Sequence, residues 1–176
     1  MNAAPANPVA AAPAGPETAS VANASLVLFR LATQRYALRL EAVERVIRAV
    51  AVTPVPESPA FVLGLINVAG QLLPVFSLRR CLGLPDRVVR PEDQFVIART
   101  SRMSVAVVVD EVLGLNTLEL AQAVPVASAL PGQADRLDGL VKINGEIILI
   151  YDLERLLSAA DQERLRHLPA PSEPVP

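Results

Sequence analysis

GLINVAGQLLPVFSLRRCL, residues 64–82, aligns without a gap with GLVKINGEIILIYDLERLL, residues 139–157. The offset is 75, with identities at Gly64/Gly139, Leu65/Leu140, Gly70/Gly145, Leu78/Leu153, Arg80/Arg155 and Leu82/Leu157. Each copy reads as a short aliphatic strand, a two-residue turn, a second strand and the start of a helix. Asn144-Gly145 is a strong hairpin signal, because both central positions of the favoured turn need positive φ. Ala69-Gly70 occupies the same place in the first copy. Ser77 and Asp152 then stand where an N-cap oxygen would receive the first free helical N–H groups. In the first copy, Gly83 is placed to end the helix.

A weaker match at offset 69 pairs Val27-Leu28-Phe29-Arg30 with Val96-Ile97-Ala98-Arg99, and Glu41-Ala42-Val43 with Asp110-Glu111-Val112. The six-residue difference between the offsets reads as an insertion between the two halves of one copy. Two similar units about a pseudo-twofold axis are therefore expected. Residues 26–31 and 35–40 read as strands joined by a turn at 32–34, and residues 94–98 and 104–109 as strands flanking a turn at 99–102. Residues 41–48, EAVERVIR, place Val43, Val46 and Ile47 at helical spacing, although 47–52 reads equally well as strand. Three prolines confine residues 53–59 to an edge or loop. Asp161 to Leu168 is expected as a further helical segment. Short strands separated by many turns argue for a mainly β chain of two small barrels with few short helices.

The chain has 176 residues, a formal charge of −2, and one Cys, one His and no Trp. Its hydrophobic share of 52% can fill a real core. A single Cys excludes an intramolecular disulfide framework and a thiolate zinc cluster. Near-neutral charge and few aromatics argue against a nucleic-acid binder. The lone histidine, His167, falls in a polar tail, which leaves a His-based triad or metal site almost no material. No cofactor is expected. Residues 1–24, rich in Ala and Pro, read as a disordered leader rather than a signal sequence, because Pro5, Pro8, Pro13 and Pro16 interrupt every apolar run. Residues 168–176 read as a Pro-rich tail. The folded part is expected over 25–165, as units at about 25–88 and 89–157 followed by a helix at about 158–167. No apolar run is long enough to span a bilayer, and the default compartment is cytoplasmic.

The first segment, continued to GLINVAGQLLPVFSLRRCLGL, resembles the pattern G-V-x-N-x-R-G-x-x-x-P-V-x-D-L-R-x-x-x-G. RYALRLEAVERVIR, VAVVVDEVLGL and LDGLVKINGEIILIYDLERLL match accompanying motifs. Together they resemble the CheW-like coupling domain of bacterial chemotaxis, over about residues 25–157. The resemblance implies two five-stranded SH3-like barrels packed side by side. It also implies a non-catalytic adaptor joining the cytoplasmic tip of a methyl-accepting receptor to the regulatory domain of a CheA-like histidine kinase. Contact with the membrane would then be only indirect, through receptors. Two departures stand out: Ala69 replaces the Arg usual before Gly70, and Arg45 replaces an expected Glu. Both family positions are associated with partner contact, so a non-standard array, such as one for twitching or surface sensing, is an alternative. Ser77 stands where Asp is usual, but either residue can cap.

Val43, Arg45, Gly64, Val68, Ala69 and Gly70 are the candidate partner-binding residues. Each has a plainer reading. Val43 is an apolar residue that a core would accept, Arg45 is a cation suited to a solvated face, and Gly64 and Gly70 supply backbone freedom. Asp110-Glu111 and Glu41/Glu44 are candidate Mg²⁺ ligands or, more simply, solvated caps. Cys81 reads as a small buried hydrophobe, and nothing around Lys142 indicates a desolvating pocket for Schiff-base chemistry. No nucleophile elbow, phosphate loop or dinucleotide fingerprint occurs in the chain. A small-molecule-binding barrel is the competing function class.

Overall fold

The computed structural model describes residues 23–119, 123–124 and 135–167. The expected tail, 168–176, and nearly all of the expected leader lie outside them. The leader's boundary moves, however: β1 (Asn23–Leu31) already begins at Asn23, and Ala24 is buried. Then come β2 (Gln34–Arg39), a 3-10 turn (Leu40–Ala42), β3 (Val43–Arg48), β4 (Val62–Val68), β5 (Gln71–Ser77) and α1 (Leu78–Cys81). The second half runs β6 (Gln94–Arg99), β7 (Ser104–Val109), β8 (Glu111–Glu119), β9 (Ala123–Val124), β10 (Leu137–Ile143) and β11 (Glu146–Tyr151). Two short helices, α2 (Leu153–Leu156) and α3 (Ala159–Arg166), close the described chain.

The strands form two sheets. One is ordered β3-β6-β7-β5-β4; the other is β8-β1-β2-β11-β10, with the two-residue β9 added beside β10. Replacing each strand of one order by its repeat counterpart gives the other, so the pseudo-twofold relation holds. Registers agree residue by residue. Val27 pairs with Leu38 as Val96 pairs with Val107, and Ala37 faces Ile150 in parallel as Ala106 faces Val75. The weaker match at offset 69 is therefore structural. The six extra residues fall between Thr117 and Leu137, the counterparts of Arg48 and Val62.

The division at residue 88 is not how the sheets divide. Each sheet takes two strands from one repeat and three from the other: β1 and β2 pair with β8, β10 and β11, while β6 and β7 pair with β3, β4 and β5. Contiguous sequence similarity marks the repeat unit but cannot show which copy a strand pairs with. After β3 the chain returns at Thr53, whose N–H and C=O bond Leu65 of β4 at 2.9 and 2.8 Å. This return joins the sheet's two edges through one continuous segment, and β9 on β10 does the same in the other sheet.

Residues 41–48 are the clearest correction: they form no α-helix. A bulge at Glu44 separates the pairs Val43–Ala98 and Arg45–Ile97. One extra residue turns the i, i+2 spacing of a strand face into i, i+3, so Val43 and Val46 both face residues of one core, Ala98 and Val96. Helical spacing was mimicked by a bulged strand. The counterpart bulge at Leu113 places Val112 opposite Phe29 and Gly114 opposite Leu28.

Three cores follow from the alternation. Ile66, Leu73, Val75, Phe95 and Ile97 fill the interior of the first sheet, and Leu26, Ala37, Val141, Ile148 and Ile150 that of the second. The third lies between the sheets, where Phe29, Tyr36 and Leu38 meet Phe76, Val96, Val107 and Tyr151. Fully burying each such side chain contributes about 1.5–3 kcal/mol. Ser77 and Asp152 both cap as expected, accepting from Arg80 N–H and Glu154 N–H. Buried Gln162 pins α3 down, since its amide accepts from Thr100 Oγ1 (3.1 Å) and donates to the Leu157 carbonyl (2.8 Å).

Candidate partner surface

The six candidate residues do not form one contiguous face. Val43 opens β3 and is partly buried against the core between the sheets. Val68 ends β4 and packs on the core inside the first sheet. Gly64 is buried, at φ +146°, where an added Cβ would lie 2.1 Å from the Thr53 carbonyl oxygen. Its role is to let the returning segment close on β4, and it presents no side chain to solvent. The exposed members are Arg45, Ala69 and Gly70.

Arg45 has no hydrogen-bond or ion-pair partner among the described residues. Its neighbour Glu44 is engaged: the carboxylate accepts from Ser104 Oγ at 2.9 Å and Arg99 Nε at 2.8 Å. The Ser104 bond, aided by the Arg99 bond and the charges of Arg99 and Arg45, holds Glu44 below the usual carboxylate range against desolvation. Ala69 and Gly70 form the hairpin turn at φ 52° and 86°, as Asn144 and Gly145 do at 50° and 86°. The Gly70 N–H donates to Asn67 Oδ1 at 2.9 Å.

Four of the exposed large apolar side chains among the described residues form two pairs related by the repeat: Val46 with Leu115, and Leu72 with Ile147. Val46 faces Val96 and Leu115 faces Val27, so both continue the inner faces of their sheets outward to solvent. Sequence reading missed these pairs, although the offsets of 69 and 75 already relate them.

A second feature was also missed. Asp110, at the junction of β7 and β8, is neither a metal ligand nor a solvated cap. Its Oδ2 accepts from Arg79 Nη2 (2.6 Å) and the Ala32 N–H (2.7 Å), and its Oδ1 from Arg87 Nη2 (2.6 Å). Arg87 also grips Asp93 through both terminal nitrogens, at 2.6 and 2.7 Å. Burial raises both carboxyls, but bonds from Arg87 and Arg90 N–H at Asp93, and from Ala32, Arg79 and Arg87 at Asp110, outweigh it and leave both below the ordinary range. Ala32 belongs to the β1–β2 turn and Arg79 to α1, so the cluster ties one sheet to the other. Nothing in the separate motifs announced it, because its members lie in four segments. Among the described residues, no group of three or more His, Cys, Asp or Glu is placed to hold a metal ion. Burial pushes the Cys81 thiol up to about 11, which agrees with the hydrophobic reading.

Against this geometry, the family model for the CheW-like domain matches residues 25–161. The chain belongs to the CheW-like family. Protein FrzA of Myxococcus xanthus is 32% identical over 136 residues, covering 76% of this chain and 85% of that protein. The chemotaxis protein CheW of Thermotoga maritima is 32% identical over 134 residues, covering 73% and 84%. Similarity extends to a probable chemotaxis protein CheW of Rhizobium etli, at 30% over 141 residues, covering 78% and 90%. The crystal structure of the scaffolding protein TtCheW from Thermoanaerobacter tengcongensis superposes with a TM-score of 0.72 at 24% identity, covering 80% of this chain and 96% of that one. The expected architecture of paired five-stranded sheets with few helices is thus the CheW-like fold. Within that family the chain is a coupling adaptor of bacterial chemosensory signalling.

Proposed function

We propose that this CheW-like chain works in the cytoplasm, without catalysis, by joining the tip of a methyl-accepting receptor to the regulatory domain of a CheA-like kinase. The observation that carries the reading is the paired exposure of Val46 and Leu115, at 38% and 67%, on strands β3 and β8, where they pair with the buried Val96 and Val27. An antiparallel helical hairpin has an apolar face that can cover exposed aliphatic side chains of this kind. Both sheet interiors are filled with side chains, which favours a surface function over a small-molecule barrel. Among the described residues, no helix is long and apolar enough to cross a membrane.

Pull-down of purified receptor tips and kinase regulatory domains from the same organism tests the proposal. Val46→Asp and Leu115→Asp should each lose receptor capture while keeping the wild-type melting temperature. Unchanged capture by both variants would sink it. A second reading, that the adaptor serves a non-standard array, is favoured by Arg45 and Ala69. One adds a cation where the family has an anion; the other removes a family cation. Such changes penalise a partner built for the usual charges. Ala69→Arg with Arg45→Glu should then weaken binding to the chain's own kinase. Unaltered binding removes that reading.

A further inference from the structure

Beside the first sheet lies an open groove of about 580 Å³, outside the surface described above. One wall is residues 49–52, the other residues 88–91, and Leu63 lies between them. Two properties set it apart. The first is open backbone. Ala49 N–H bonds Asp93 O and Thr53 bonds Leu65, but between them Val50, Ala51 and Val52 make no backbone hydrogen bond among the described residues. Val50 is 47% exposed, and across the groove Val88 is 85% exposed. Unpaired backbone beside aliphatic side chains offers donors and acceptors to which a peptide can add as a strand.

The second property is charge. Asp86 is neutralised by Arg80 at 2.7 Å, and Arg87 is taken up by Asp93 and Asp110. The Arg90 guanidinium, on the rim, has no partner among the described residues. Arg48, at the end of β3 just before the first wall, is likewise exposed and unpaired. The groove thus presents aliphatic walls, open backbone and uncompensated positive charge.

We infer that this groove is a docking site for an extended, acidic segment of a partner protein that carries aliphatic side chains at alternate positions. Alternation lets one set of side chains enter between Val50 and Val88 while the other presents carboxylates to Arg90 and Arg48. Each wall is four residues long, about 13 Å when extended, which suits a contact of four to six residues. The inference does not depend on which receptor or kinase the adaptor joins.

The probe is a capped hexapeptide alternating glutamate and valine, titrated into the full chain by calorimetry and by amide chemical shifts. Saturable binding with Kd below about 1 mM is expected, with shifts concentrated at residues 50–52 and 88–89. Arg90→Glu and Val88→Asp, both on exposed side chains, should each weaken it about tenfold or more. The inference is overturned by no saturable binding, by unchanged affinity in Arg90→Glu, or by equal binding of a lysine–valine hexapeptide. Tighter binding on removing residues 168–176 would assign the groove to the chain's own tail. A wild-type dimer that dissociates in Arg90→Glu would assign it to a second copy. Either result also overturns the inference.

Discussion

Arg87 and Asp110 meet at 2.6 Å although they lie 23 positions apart in the chain. Their side chains are only 20% and 17% exposed, and the same carboxylate holds Arg79 and the Ala32 N–H. Removing one partner of so enclosed a pair leaves the others uncompensated, which costs more than the pair contributes as a unit. Asp110→Asn should therefore destabilise the fold by about 2–3 kcal/mol, read as a lower urea midpoint.

The same cluster sets an acid limit. Asp93 and Asp110 are held below the ordinary carboxylate range. A lowered folded-state pKa contributes stability that is full above the unfolded value, about 3.9 for Asp, and is lost as pH falls through the folded value. Urea midpoints should hold from pH 7 to 5 and drop below about pH 4. The drop should be shallower in Asp110→Asn.

Gly64 and Gly70 both have positive φ but predict different outcomes on substitution. At Gly70 an added Cβ meets nothing within 4 Å, so Gly70→Ala should cost only the left-handed strain, about 1–2 kcal/mol. At Gly64 the Cβ would strike the Thr53 carbonyl and Val52. Gly64→Ala should cost more than about 3 kcal/mol and unfold the chain first where β4 meets Thr53. Hydrogen exchange at Leu65 N–H reads this directly.

Ala69 holds φ 52° without the local hydrogen bonding that makes Asn tolerable there, whereas its repeat counterpart is Asn144 at φ 50°. Ala69→Asn should stabilise the chain by about 0.5–1 kcal/mol. Thermal melts check it, and a lower melting temperature would count against the strain argument.

Cys81 should be a sluggish nucleophile. With its thiol pushed up to about 11, about 0.1% is thiolate at pH 8, against roughly a quarter for an ordinary thiol near 8.5. Iodoacetamide should label native chain at least about tenfold more slowly than urea-unfolded chain at that pH.

Local chemistry made much of this fold legible. The Ser77 and Asp152 caps, the hairpins at Ala69-Gly70 and Asn144-Gly145, and the stronger repeat are all properties of adjacent residues, which a sequence displays directly. Strand pairing is not such a property. Val43 and Val46 looked helical because the bulge at Glu44 exists only through pairing with β6. Asp110 looked like a metal ligand or a solvated cap because Arg79, Arg87 and Ala32 reach it from distant segments. For the candidate site, Gly64 was singled out for partner contact with backbone freedom as the plainer reading, and the need for that freedom lies in the approach of Thr53. The exposed apolar pairs needed both the repeat and the burial pattern before they could be seen.

The exchange of strands between the repeats has a consequence for the molecule's origin and assembly. A lone repeat of β1 to β5 would lack β6 and β7, the strands that lie between its β3 and β5. It could complete itself only by trading its first two strands with a twin. The chain therefore has the geometry of a swapped homodimer fused into one polypeptide. Two fragments cut between β5 and β6 should be unstructured apart and regain the fold when mixed.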